Sequence, residues 1–136
     1  MAVLRNIGAV VAGLFLGSVA NMAVIQLSWS LWPMPEGLDT SDYDALGAYI
    51  STLPTQAFLL VMVAHLLQAG LGGWVAARLG ASRPRVLALV VAALTLLGGV
   101  ANLLMLPAPV WMWVEVPLYL AVGWGVGTLE LRRRER

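Results

Sequence analysis

The sequence predicts an all-α protein: an antiparallel four-helix transmembrane bundle with a short amphipathic helix in the outer loop. Three observations carry that prediction. The 136 residues are 60% hydrophobic and only 11% charged, with a mean hydropathy of +0.85, whereas a soluble domain carries about a quarter charged residues. Residues 6–35, 45–77 and 86–114 contain no Asp, Glu, Lys or Arg, and another apolar stretch runs from Val116 to Leu129. All eight cations are arginines, and four spans put every one of them on the same side.

A spanning helix needs about 20 largely apolar residues. The chain supplies four such spans in a single domain over residues 1–136: Asn6–Leu31, Thr55–Leu79, Pro84–Leu106 and Val110–Leu131. Arg5, the following apolar run and Ser18-Val19-Ala20 resemble a secretory signal. Cleavage there would leave only about ten residues before the outer loop, too few to span, so the first helix is read as retained.

The outer loop, residues 32–54, opens with Pro33-Met34-Pro35-Glu36-Gly37, an extended or turned segment. Ser41-Asp42-Tyr43-Asp44 then reads as a helix start with Ser41 as cap. Tyr43, Leu46, Tyr49, Ile50 and Leu53 recur at helical spacing, which predicts a short amphipathic helix over 42–52. It lies in the interface or lids the bundle. The second and third spans are joined by Gly80-Ala81-Ser82-Arg83-Pro84, where glycine ends a helix, Ser82 caps the next and Pro84 suits its first turn. Pro107-Ala108-Pro109 breaks the chain between the third and fourth. Pro117 leaves two readings of the fourth span. A helix starting at Val110 is kinked there and carries Glu115 inside the bundle; one starting near Val114 makes Glu115 an interfacial cap.

The charges set the orientation. Arg5, Arg78, Arg83, Arg85, Arg132, Arg133, Arg134 and Arg136 mark the cytoplasmic side, and Glu36, Asp39, Asp42 and Asp44 fall opposite. Both termini are therefore expected in the cytoplasm. Trp29, Trp32, Trp111 and Trp113 fall at outer span ends and Trp74 near an inner one, as in an aromatic belt. Trp124 lies deeper and reads as a packing residue. The arginine-rich tail reads as a topology and lipid-headgroup signal, so membrane lipids are the expected partners and nucleic acid is not.

With no cysteine in the chain, disulfides, thiolate metal sites and thiol nucleophiles are excluded. One histidine and one intramembrane carboxylate do not make a three- or four-ligand metal site. No serine–histidine–acid set or phosphate-binding glycine loop is visible, so no cofactor and no catalytic residue is expected.

Small residues recur along each span and let helix backbones approach. Ala9, Gly13, Gly17 and Asn21 follow at four-residue steps in the first. His65, Ala69, Gly73 and Ala77 do so in the second; Ala88, Ala92, Thr95, Gly99 and Asn102 mark the third; Glu115, Tyr119, Gly123 and Gly127 the fourth. Gly98-Gly99 reads as close packing. In every span small residues lie toward the cytoplasm and polar ones outward. This predicts a bundle tightly packed on its inner half, with an outward-facing polar cup beneath the acidic loop. Asn21, His65, Asn102, Glu115 and Tyr119 are the candidate ligand-binding residues, with Ser18, Ser28 and Gln68 nearby. A histidine can exchange a proton near neutral pH, and ionisable groups within a membrane usually face the bundle interior or a wet cavity. A His–Glu pair can carry a proton, hold a cation or grip an amine. The plainer reading makes these groups interhelical glue, worth about 0.6 kcal/mol each.

Asn21, Leu27-Ser28, Pro33-Met34-Pro35-Glu36-Gly37-Leu38-Asp39, Ala64-His65, Gly72-Gly73, Gly98-Gly99 and Met105-Leu106-Pro107-Ala108-Pro109-Val110-Trp111 span nearly the whole chain. In that order they resemble an uncharacterised family of small bacterial four-helix integral membrane proteins. The resemblance implies the membrane fold and brings no activity. The first span has no central glutamate and so does not resemble small multidrug transporters. The function expected from the residues is binding or transport of a small polar or cationic solute from the outer side. The alternative is a structural or accessory subunit, in a homo-oligomer or a larger membrane complex. A membrane enzyme acting on a lipid-like substrate ranks third.

Overall fold

A computed structural model describes residues 1–136. Helix α1 runs over Ala2–Leu31, α2 over Tyr43–Ile50, α3 over Thr55–Leu79, α4 over Pro84–Met105 and α5 over Glu115–Arg134, with a 3-10 turn at Val110–Val114 leading into α5. There are no strands. Four helical segments, the turn and α5 counted as one, are long and apolar enough to cross a membrane. The protein is thus an all-α, four-helix membrane bundle with a short fifth helix in its long loop. Its two ends are called here the arginine end and the loop end.

The chain folds around α3. Helix α1 packs along one side of α3 and barely reaches α4, while α4 and α5 pack on α3 and on each other. The small-residue stripes form these seams. A Cβ at Gly17 would stand 2.6 Å from the Gln68 carbonyl oxygen, and one at Gly72 would stand 2.6 Å from that of Gly13. Across the other seam, a Cβ on Gly127 would stand 2.7 Å from the Cα of Arg85, and one on Gly123 2.5 Å from the Cβ of Ala92. Only hydrogen fits in such backbone approaches, which is how helices gain contact where lipid is as apolar as they are. Gly99 belongs to this packing, but a Cβ on Gly98 would meet nothing, so the Gly98-Gly99 pair is half seam and half open face.

Several caps differ from expectation. Asp42, not Ser41, caps α2, accepting from the backbone N–H groups of Asp44 and Ala45. Ser41 is occupied otherwise: its N–H and hydroxyl both donate to Asp39, holding that exposed carboxyl below its usual range. Ser82 does not cap α4 either. Arg83 takes that position with a left-handed φ of 49°, and Pro84 follows at the first helical position. Ser82 instead accepts a hydrogen bond from the Asn6 amide, whose oxygen accepts from the N–H of Ala81. Asn6 thereby ties the start of α1 to the α3–α4 turn.

The arginine tail has an internal role. Glu130 is buried and takes Arg133 at 2.7 and 2.8 Å and Arg134 at 3.1 Å. Arg134 also donates to the carbonyls of Ala77 and Gly80, so the end of α5 caps the end of α3. Trp124 is not a packing residue. It is 54% exposed, and the Arg85 guanidinium lies 5.8 Å from its ring centroid. The outward direction follows from its place one residue beyond Gly123 in the seam: i and i+1 on a helix point about 100° apart.

Candidate ligand-binding site

At mid-span depth α3 presents His65 and Gln68 to a space bordered by α1, α4 and α5. Helix α5 begins at Glu115, directly after the 3-10 turn. Pro117 therefore sits in a first turn, where a missing N–H costs nothing. Even so, Glu115 is fully buried, with its carboxylate 3.2 and 3.4 Å from Nδ1 of His65. Each sequence alternative holds in part: the proline does not kink the helix, and the glutamate is nevertheless inside.

One turn on, Tyr119 is also fully buried and stacks beside His65, with ring centroids 6.4 Å apart at 27°. Its hydroxyl fits against Gly99, where a Cβ would collide with it. No group of the chain meets hydrogen-bond geometry with that hydroxyl, the only buried side-chain polar atom left so, although the Glu115 carboxylate lies near enough to interact with it. An unpaired buried hydroxyl carries a desolvation cost on the order of 1–3 kcal/mol.

A cavity of about 340 Å³ adjoins these rings, lined by Asn21, His65, Gln68, Thr95, Asn102 and Tyr119, with Leu14, Leu94, Gly98 and Gly99 completing it. The structure thus brings four of the five candidate residues, from four different helices, to one cavity. Glu115 stands behind His65 and does not line the space. Thr95 donates to the Val91 carbonyl, and the Gln68 amide donates to Ser18. Ser28 is buried toward the loop end of α1 and lies outside the cavity lining. Gln68 and Thr95 join the site through their i+3 spacing from His65 and their i−4 spacing from Gly99.

The space beneath the loop is not a polar cup. A second cavity of about 120 Å³ lies there, walled mainly by apolar side chains including Ile50, Phe58, Leu103 and Met112. It meets the polar cavity at His65 and Asn102, which line both. The reason is the inner face of α2, where Ile50 and the following Leu53 point down while Asp42 and Asp44 stay exposed. The Tyr49 hydroxyl donates to the Trp32 carbonyl and ties α2 to the end of α1.

Chemically, the site offers amides, a phenol and an imidazole backed by one carboxylate. When His65 is neutral with its proton on Nδ1 toward Glu115, Nε2 is an acceptor; when the ring is protonated, both nitrogens donate. No three His, Asp or Glu side chains converge on one point. Comparison with family models, with curated proteins and with solved structures gives no match.

Proposed function

We propose that the protein binds a small polar or cationic solute in the mid-span cavity, as a receptor site or as a step in transport. The observation that carries this reading is the Tyr119 hydroxyl, buried and unpaired beside a polar cavity of about 340 Å³. A ligand ammonium donating to the hydroxyl oxygen there would offset part of the desolvation cost. Charge favours a cation. Glu115 is the carboxylate of the site, no arginine lines it, and the loop end carries Glu36, Asp39, Asp42 and Asp44 without a cation. Such a face concentrates positive solutes. The arginine asymmetry supports termini in the cytoplasm, and the resemblance to small bacterial membrane proteins supports a bacterial inner membrane, so that the apolar space under α2 is an outer vestibule.

The test is thermal unfolding of the purified protein in nanodiscs against ethylamine, ethanol and acetate. A ligand at a hundred times its Kd stabilises by about 2.7 kcal/mol. Stabilisation by ethylamine that disappears in Asn102→Leu supports the proposal. No response to any of the three overturns it for solutes of this size.

A further inference from the structure

The polar cavity is not sealed from the surrounding bilayer. Helix α1 leaves a groove against α4 along most of their length, and the groove changes character midway. Toward the arginine end it is apolar, a space of about 240 Å³ lined by Ile7, Val10, Val11, Leu87 and Val90, with Asn6 at its end. Leu14 and Leu94 continue the same two faces into the polar cavity, which ends at Asn21 and Asn102. On α4 the groove face is open: Leu94, Gly98 and Asn102 are all exposed, and a Cβ on Gly98 would meet nothing. At 1.5 Å per residue, the stretch from Ile7 to Asn21 is roughly 20 Å long.

Resting on the reading of the cavity as a binding site, we propose that its ligand is an amphiphilic amine. The amine enters sideways from the bilayer, its ammonium head against His65, Tyr119 and Asn102 and its single apolar tail along the α1–α4 groove toward the arginine end. Three observations choose this occupant. Asn21 and Asn102 make no side-chain hydrogen bond within the chain, and hydrocarbon against them would leave amides unsatisfied, at a cost of several kcal/mol. A wholly apolar lipid chain therefore does not complement the groove. A wholly polar solute leaves the apolar half unfilled. A helix of a second copy matches poorly, because the exposed mid-span side chains Phe15, Leu16, Val63, Leu67, Leu97 and Leu120 cannot answer an amide, and Trp124, which can, lies on α5 beside the Arg85 guanidinium. The head is a hydrogen-bond donor because neutral His65 presents Nε2 as an acceptor. It is a cation because, beside a neutral His65, the fully buried Glu115 has no counter-charge at this depth.

The probe is dodecylamine carrying a diazirine near the end of its tail, photolysed with the full-length protein in phosphatidylcholine nanodiscs. Labelling is expected to concentrate on residues 7–14 of α1 and 87–94 of α4. Unlabelled dodecylamine should compete and dodecanoic acid should not. A Cβ at Gly98 meets no neighbour, so Gly98→Leu is expected to fold and, by filling the open face, to cut the labelling by roughly a factor of ten. Gly125→Leu, an equally free position outside the groove, should leave it unchanged. Labelling spread evenly over all four spans overturns the proposal, as does insensitivity to Gly98→Leu or native mass spectra showing two copies closed over the groove. If ethylamine stabilises the protein through Asn102 while the groove stays unlabelled, the cavity reading stands and the amphiphile falls. If neither amine binds, both fall.

Discussion

The carboxylate of Glu115, in the first turn of α5, stands 3.2 Å from Nδ1 of His65 in the middle of α3. The two residues are the histidine of the chain and the most deeply enclosed acid of its loop half, and neither has another ionic partner. They act as one unit: Glu115 orients the ring, and the ring presents its other nitrogen to the cavity.

Separating the pair should therefore have unequal effects. Glu115→Ala strands the imidazole beside an emptied space and should destabilise the fold by on the order of 3 kcal/mol, read from thermal unfolding in detergent. His65→Gln keeps a hydrogen bond to Glu115 and should stay folded. As a proton-responsive site, the wild type is expected to change its ligand binding or tryptophan fluorescence with pH, and this variant to lose that change. An unaltered pH response in this variant would make the pair interhelical glue.

Tyr119→Phe should separate stability from binding. The hydroxyl is buried without a partner, so removing it should leave the unliganded protein as stable or more stable, by up to about 1–3 kcal/mol. The same variant should lose the thermal stabilisation by ethylamine. Destabilisation of the unliganded protein would show that the hydroxyl is satisfied, by water or otherwise.

Gly13→Leu and Gly17→Leu drive a side chain into the carbonyls of Gly72 and Gln68. Each should cost about 1–3 kcal/mol or more, as overpacking does, with α1 displaced from α3. Gly73→Leu meets the Ala88 carbonyl and Val126 from 3.3 Å outward and should be the mildest of the three. Gly8→Leu, which meets nothing, is the control. Equal melting temperatures across the series would contradict the seam.

Single cysteines at Asp42 and Ser82 should react with an impermeant maleimide from opposite sides of the membrane, with Asp42 labelled on intact cells. Labelling of position 82 from outside would reverse the proposed orientation.

Arg134→Ala removes the donor that reaches Ala77, Gly80 and Glu130. Hydrogen bonds to charged groups contribute about 1.5–3 kcal/mol, so a loss near the lower figure is expected, with faster amide hydrogen exchange in the last turn of α3. Unchanged exchange there would confine Arg134 to a headgroup role.

The spans were legible because charge and hydropathy are properties of a segment and need no neighbour. So were the buried stripes: Ala9, Gly13 and Gly17, His65 to Ala77, and Glu115 to Gly127 all face inward. A stripe identifies a face, however, and not what lies across it. Asn21 and Asn102 carry the same polarity as His65, yet α1 and α4 stand apart where these amides lie, so an outward cup could not be told from a lateral groove. Gly98 and Gly99 look alike in sequence and differ only because the Tyr119 hydroxyl meets one of them. The ties of Asn6 and Arg134 were illegible for a related reason. Both reach a turn or helix end more than fifty residues away in the chain, and a polar residue at a span end reads equally well as a headgroup contact.

Everything that holds α1 in place is made later than α1. Its glycines wait for the carbonyls of Gly72 and Gln68, Asn6 waits for the turn at Ala81, and the Trp32 carbonyl waits for Tyr49. During biogenesis the first helix must therefore stand alone in lipid while the loop and α3 are synthesised, with Asn21 bare within the bilayer. Helices of a membrane protein insert before they associate, and here that interval is imposed by chain order. A chain cut within residues 33–41 should accordingly still assemble from two co-expressed pieces, because no tie of α1 depends on covalent continuity through that segment.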